Sequence, residues 1–276
     1  MKNKINVWKK AISGWVFLSH SSFDIEKVKI IRNYLEEYQF NAIMFFLKCF
    51  ENGEDNKKEI EKLLKCEITS RNIFIFCQSE NSKKSKWVNW EREIAKKEDK
   101  IYLEIDVEKL DYQKCIELSK IDLLIRYSTL YFIYYSSKKE IIEELEKKLE
   151  GFKILKNSEN LKKEKGIKKV KQAIAETKNK GFVILFVSED SKKKKEFWTE
   201  KQIALDKDVR IIVVLMDDIT IEDFPALKKC KYFIYGKNTN VVKLSNQIYS
   251  YIKNEFEKEL ENLKGINNEN LVGENS

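Results

Sequence analysis

A single histidine, His20, stands in a chain of 276 residues. Sites built on several histidine ligands are therefore excluded, and any Ser-His-Asp arrangement would have to be assembled around that one ring. Proline is as scarce, with one in the chain, and together with the abundance of Lys, Asn and Ile it reads as a compositional bias. The five cysteines, Cys49, Cys66, Cys77, Cys115 and Cys230, are odd in number and have no CxxC spacing. They predict neither a disulfide framework nor a zinc site, but reduced, mostly buried thiols in a cytoplasmic protein. No segment approaches the roughly 18 apolar residues that would span a membrane. The opening "MKNKINVWKKAISGWVFLSH" places lysines ahead of an apolar stretch, but that stretch is short, has no small-residue cleavage site and ends in polar residues. It reads as a first core strand rather than a signal peptide.

Charge of one sign is also missing as a dominant feature. The net charge of +8 arises from 53 basic residues set against 45 acidic ones. Without a recognisable nucleic-acid module, this excess does not carry a nucleic-acid reading, and runs such as "SKKKKE" (191–196) read as solvated loops or helix starts. The hydrophobic fraction of 42% and charged fraction of 36% describe a globular chain. Its length suits one large domain or two of about 130 residues each.

What is present is alternation. "GWVFLS" (14–19), "FNAIMFF" (40–46), "NIFIFCQ" (72–78), "IYLEIDV" (101–107) and "IDLLIRY" (121–127) have the length and composition of strands. Between them, "DIEKVKIIRNYLEEY" (24–38), "NKKEIEKLLKCEI" (56–68) and "SKWVNWEREIAKK" (85–97) carry apolar residues at three- and four-residue steps. Such alternation predicts a parallel sheet with helices on both faces.

The order then repeats with "LYFIYYS" (130–136), helix 139–150, "FKIL", helix 167–177, "GFVILFVS" (181–188), a helix around "FWTEKQIAL" (197–205), "VRIIVVLMD" (209–217) and "KYFIY" (231–235). "SENSKKSKWVNWEREIA" (79–95) and "SEDSKKKKEFWTEKQIA" (188–204) share nine of seventeen positions without a gap. The offset between copies is 115 at Ser21-Ser22 and Ser136-Ser137, 112 at Phe40 and Phe152, and 109 from Ser79 through Ile125 and Ile234. The expectation is two tandem flavodoxin-like α/β units, residues 1–128 and 129–263, with a flexible tail over 264–276. Helix 139–150 could instead close the first unit.

In a parallel sheet, ligands bind beyond the carboxyl ends of the strands. Two segments fall there. In "FLSHSSFD" (17–24), Ser21, Ser22 and Asp24 can cap a helix start, and the same groups suit a phosphate or ribose. In "SKWVNWERE", Trp87 and Glu91 lie four residues apart, on one helical face. A carboxylate beside an indole wall can be desolvated, and the ring can hold a flat group or a sugar.

The ordered set "VFLSHSSFD", Gly53, "NIFIFCQS" and SxWVxxE ("SKWVNWE") resembles the bacterial Toll/interleukin-1 receptor, or TIR, domain over roughly residues 14–128. The resemblance implies a sheet of five parallel strands. It also implies cleavage of NAD at the nicotinamide-ribose bond, in some members with cyclisation of ADP-ribose, and often a part in defence against phage. Glu91 corresponds to the catalytic glutamate, Trp87 to the associated tryptophan, and His20, Ser21, Ser22 and Phe23 to the substrate-binding loop. NAD would be substrate, with no cofactor, no metal and no membrane partner, and activity would depend on homo-oligomeric TIR–TIR assembly. The chain departs from many relatives where Phe46 or a neighbour replaces an acid after the second strand.

In the second copy Glu200 matches Glu91, but Trp198 lies only two positions away, about 200° around the helix. Aligned by tryptophan instead, the position holds Gln202. The copy therefore reads as a degenerate partner kept for packing or for binding. A non-catalytic interaction scaffold is the rival reading. A receiver domain is disfavoured by the missing acidic pair after the first strand and by "FCQS" at the end of the third.

Overall fold

The computed structural model describes residues 14–45, 57–110, 116–135, 139–156, 171, 181–206, 209–236 and 238–273. Gly53, Phe46, Cys49, Cys115, the Ser136-Ser137 pair and nearly all of the expected helix 167–177 lie outside them. The chain divides into two compact units, with the break at residues 125 and 126, and the last helix from Phe256 onward groups with the first unit.

In the first unit the strands are β1 (Gly14–Ser19), β2 (Phe40–Met44), β3 (Ile73–Gln78) and β4 (Ile101–Asp106), all parallel, in the order β2-β1-β3-β4. Helices α1 (Ile25–Glu37), α2 (Lys57–Thr69), α3 (Glu80–Lys84), α4 (Lys86–Lys97) and α5 (Ile116–Tyr127) follow them in turn. Alternation along β1 and β3 sends Phe17, Phe74 and Phe76 to one face, where they pack against α2 and α4 through Ile60, Leu64, Ile68, Val88 and Ala95. Phe17, Phe74 and Tyr102 stack across three strands, with centroids 5.5 and 5.6 Å apart and planes 6° and 12° from parallel. Each fully buried phenylalanine stabilises this layer by about 2–3 kcal/mol.

The segment "IDLLIRY" is the end of α5, not a strand. The preceding "IELSK" holds no glycine or proline to break a helix, so the helical period runs on through Ile121 and Leu124, both buried. A short apolar run is ambiguous between helix and strand until its flanks are weighed. Consequently the first unit has four strands among the described residues where the TIR resemblance implies five.

The second unit repeats the order and adds a strand. Its strands β5 (Thr129–Ile133), β6 (Lys153–Lys156), β7 (Phe182–Val187), β8 (Arg210–Met216) and β9 (Lys231–Tyr235) form a parallel sheet ordered β6-β5-β7-β8-β9. Helices α6 (Lys139–Lys148), α7 (Glu189–Lys192), α8 (Lys195–Asp206) and α9 (Val241–Gly273) accompany it. Helix α9 passes beyond residue 263, so the segment expected as a tail is helical through Gly273. Ile234, matched to Ile125 by the constant offset, lies in a strand where Ile125 lies in a helix.

Sheet register corrects the alignment at one further point. Val16 pairs with Ile73 and Leu130 with Phe182, so the first strands of the two units correspond at an offset of 114. Ser19 pairs with Phe76 and Ile133 with Leu185, which puts Ile133 in the place of Ser19. Of the described cysteines, Cys77 is buried, Cys230 half-buried and Cys66 exposed, so burial is less general than expected.

Candidate active site

Helix α4 owes its placement to two serine caps. Ser79 and Ser82 form a reciprocal capping box that starts α3, and Ser85 then accepts from Val88 N at 3.4 Å to start α4. The Asn89 side-chain amide donates to the Lys83 carbonyl at 2.9 Å and ties the two helices together. In this setting Val88, Glu91 and Ala95 form the buried stripe of α4, at three- and four-residue steps. Glu91 is the one acid on that otherwise apolar stripe.

Glu91 is 5% exposed, and Ser19 Oγ at the end of β1 donates to its Oε2 at 2.5 Å. Burial raises the carboxyl to about 7, against the opposing effect of the Ser19 hydrogen bond. Two other buried acids meet lysines: Glu117 accepts from Lys120 at 2.7 Å and Glu146 from Lys156 at 2.8 Å. Glu91 has only a neutral hydroxyl, and its Oε1 accepts no hydrogen bond from the described residues.

A cleft of about 420 Å³ opens beside this carboxyl at the carboxyl end of β1. Phe17, Leu18, Phe45, Trp87 and Val88 give it apolar walls, while His20, Ser21, Ser22, Asn81, Lys84, Ser85 and Glu91 supply polar groups. Phe23, 84% exposed, stands at its edge. Trp87 packs edge-on against Trp90 with centroids 5.9 Å apart, which fixes its ring as a wall. All six residues singled out in the sequence, His20, Ser21, Ser22, Phe23, Trp87 and Glu91, line this one cleft.

The loop after β1 is held from below. Ser21 accepts from Phe23 N, and buried Asp24 accepts from Ser79 Oγ at 2.5 Å and Asn81 Nδ2 at 3.1 Å. These bonds tie the loop that carries His20 to the start of α3. The His20 Nδ1 hydrogen bonds to the Leu18 carbonyl at 3.1 Å, and burial lowers the ring's pKa, so it is neutral at pH 7. Sequence reasoning missed Ser19, Phe45, Asn81, Lys84 and Ser85. For Ser19 a signal existed, since a hydroxyl occupies a buried strand-end position of an otherwise apolar run.

The equivalent place in the second unit is built differently. Glu200 is buried and accepts a hydrogen bond from Tyr135 at 2.8 Å, two residues beyond Ile133. Phe197 stands where α4 has Val88 and packs edge-on to Tyr135, with centroids 6.5 Å apart. Glu196 takes the place of Trp87. Trp198 falls in the place of Asn89, and its indole N–H donates to the Lys192 carbonyl at 2.8 Å, the same tie between helices. The tryptophan is thus a helix-junction residue, also stacked on Phe224 at 5.8 Å.

A parallel α/β sheet with a buried acid in a cleft at its carboxyl edge defines a class of binding and catalytic domains. Within it, residues 16–123 match the family model described as TIR domain. That match covers most of the first unit and stops short of the second. No curated protein and no solved structure matches the chain. Among the described residues no helix is long and apolar enough to cross a membrane.

Proposed function

We propose that the first unit, residues 1–128, cleaves NAD at the bond between nicotinamide and ribose, and that residues 129–263 are a degenerate TIR-like repeat that does not. The observation that carries this reading is Glu91: a buried carboxyl, held through one oxygen by a neutral hydroxyl, at the wall of a cleft with an indole beside it. When the C1′–N bond breaks, its electron pair neutralises the pyridinium, and positive charge develops at the ribose. A carboxylate in a desolvated site stabilises that charge, and water then adds at C1′ with release of a proton. Where a ribose hydroxyl of the substrate adds in place of water, a cyclic product results. NAD is substrate in this reading and no cofactor is required. Trp87 walls the nicotinamide or ribose side, and His20, Ser21, Ser22 and Phe23 form the opposite rim.

The same reading makes the protein a bacterial, cytoplasmic effector in defence against phage, active as a homo-oligomer. Nicotinamide release from NAD is expected to rise per protomer as protein concentration increases. Release should also increase with pH through about 7, as Glu91 loses its proton. Concentrated protein that released no nicotinamide at any pH between 6 and 9 would leave the TIR domain a non-catalytic interaction module.

A further inference from the structure

We propose that Ser19 is a positioning residue for Glu91: its hydroxyl holds Oε2, fixes the carboxyl rotamer and leaves Oε1 as the oxygen turned to a ribose in the cleft. This rests on the NAD-cleaving reading for its catalytic consequence, though not for its geometry. The two residues are 72 positions apart and meet at 2.5 Å with both side chains buried. Burial of a carboxylate is costly unless a donor meets it, and here one hydroxyl is the donor.

Comparison with the second unit isolates the role. Strand register places Ile133 where Ser19 stands, and no donor reaches the acid from that position. Glu200 accepts instead from Tyr135, two residues beyond the strand end at Ile133. The Tyr135 hydroxyl comes from beyond the strand end, and its ring packs edge-on against Phe197. In the first unit the donor is a small hydroxyl at the strand end, and the cleft opens beside the acid it holds.

Other ionisable groups at the cleft are His20, neutral through burial, and Lys84, at the rim on α3. Asp24 lies behind the loop, held by Ser79 and Asn81. Burial and the Ser19 hydroxyl are what move Glu91 from its ordinary value, so changing Ser19 addresses it directly.

The test is a titration of Glu91 in substrate-free protein, by carbon NMR of glutamate-labelled wild type, with the signal assigned by its loss in Glu91→Gln. In Ser19→Ala the midpoint should rise by about one pH unit, the scale of a lost hydrogen bond to a charged group. Ser19→Thr, which keeps the hydroxyl, should return it to the wild-type value. Ser19→Cys, a weaker donor of similar size, should fall between and serves if the alanine variant does not fold. In nicotinamide release, Ser19→Ala should lower kcat about tenfold at pH 7 with KM nearly unchanged, and regain part of the loss at higher pH. An unchanged Glu91 midpoint in both Ser19→Ala and Ser19→Cys would overturn the proposal. A shifted midpoint in protein that never cleaves NAD would keep the positioning role and remove the catalytic reading.

Discussion

Glu91 concentrates the physical tension of the first unit in one side chain. Its pKa is raised from the ordinary glutamate value of 4.5 to about 7, so the folded protein holds this proton more tightly than the unfolded chain does. The stabilising effect of the bound proton is fully present below about pH 4.5 and is lost as pH rises through about 7. Replacing the acid with its neutral isostere removes that dependence. Glu91→Gln should therefore unfold at a higher denaturant concentration than wild type at pH 8, by up to about 3 kcal/mol, and near wild type at pH 4.5. Chemical denaturation at the two pH values checks this, and an equal difference at both would mean that Glu91 is not the source. The residue was legible in the sequence through its four-residue spacing from Trp87 and the resemblance of "SKWVNWE" to the TIR motif, whereas its place on a buried stripe with Val88 and Ala95 came from the structure. Ser19 was not legible as its partner, since nothing in a strand's composition states which helix position lies 2.5 Å away.

Among the elements, the junction between α3 and α4 and the similar one between α7 and α8 show how two like segments are built with different side chains. Both begin with the same serine capping box and both need a donor to the carbonyl at the end of the short helix. An amide serves in one and an indole in the other, so the tryptophan of the second copy has moved to a structural task. At the same time Phe197 replaces Val88 and fills the space beside Tyr135. Val88→Phe should place a ring in the cleft that Val88 lines in the first unit. Nicotinamide release should fall at least tenfold, with a stability loss of about 1–3 kcal/mol for the added volume. Parallel assays of release and urea midpoint separate the two effects, and retained release in folded protein would show that the cleft near Val88 is not used. Strand and helix identities were readable wherever apolar runs had clear flanks. They failed for "IDLLIRY", where seven apolar-rich residues fit either period and the preceding residues, not the run itself, made it helical.

At the scale of the molecule, one chain carries two parallel sheets with the shared order second-first-third-fourth, and a fifth strand in the second. Tandem similarity was visible as an ungapped offset of 109 over the caps and the helices they start. The sheet register shows where the similarity stops bearing on chemistry: the first strands correspond at 114, and the strand-end serine has become isoleucine. The donor to the acid at this helical position differs between the two units, and a shared fold does not require a shared site. The proposed chemistry therefore rests on Glu91, one of two acids at the same helical position.

The most direct measurement is nicotinamide release from NAD by concentrated wild type, Glu91→Gln and Glu200→Gln, with folding of each variant checked by circular dichroism. The account predicts a loss of about 10²-fold or more for Glu91→Gln, the scale of removing a group that stabilises the transition state, and near wild-type release for Glu200→Gln. Full activity in Glu91→Gln, or equal losses in both variants, would contradict it.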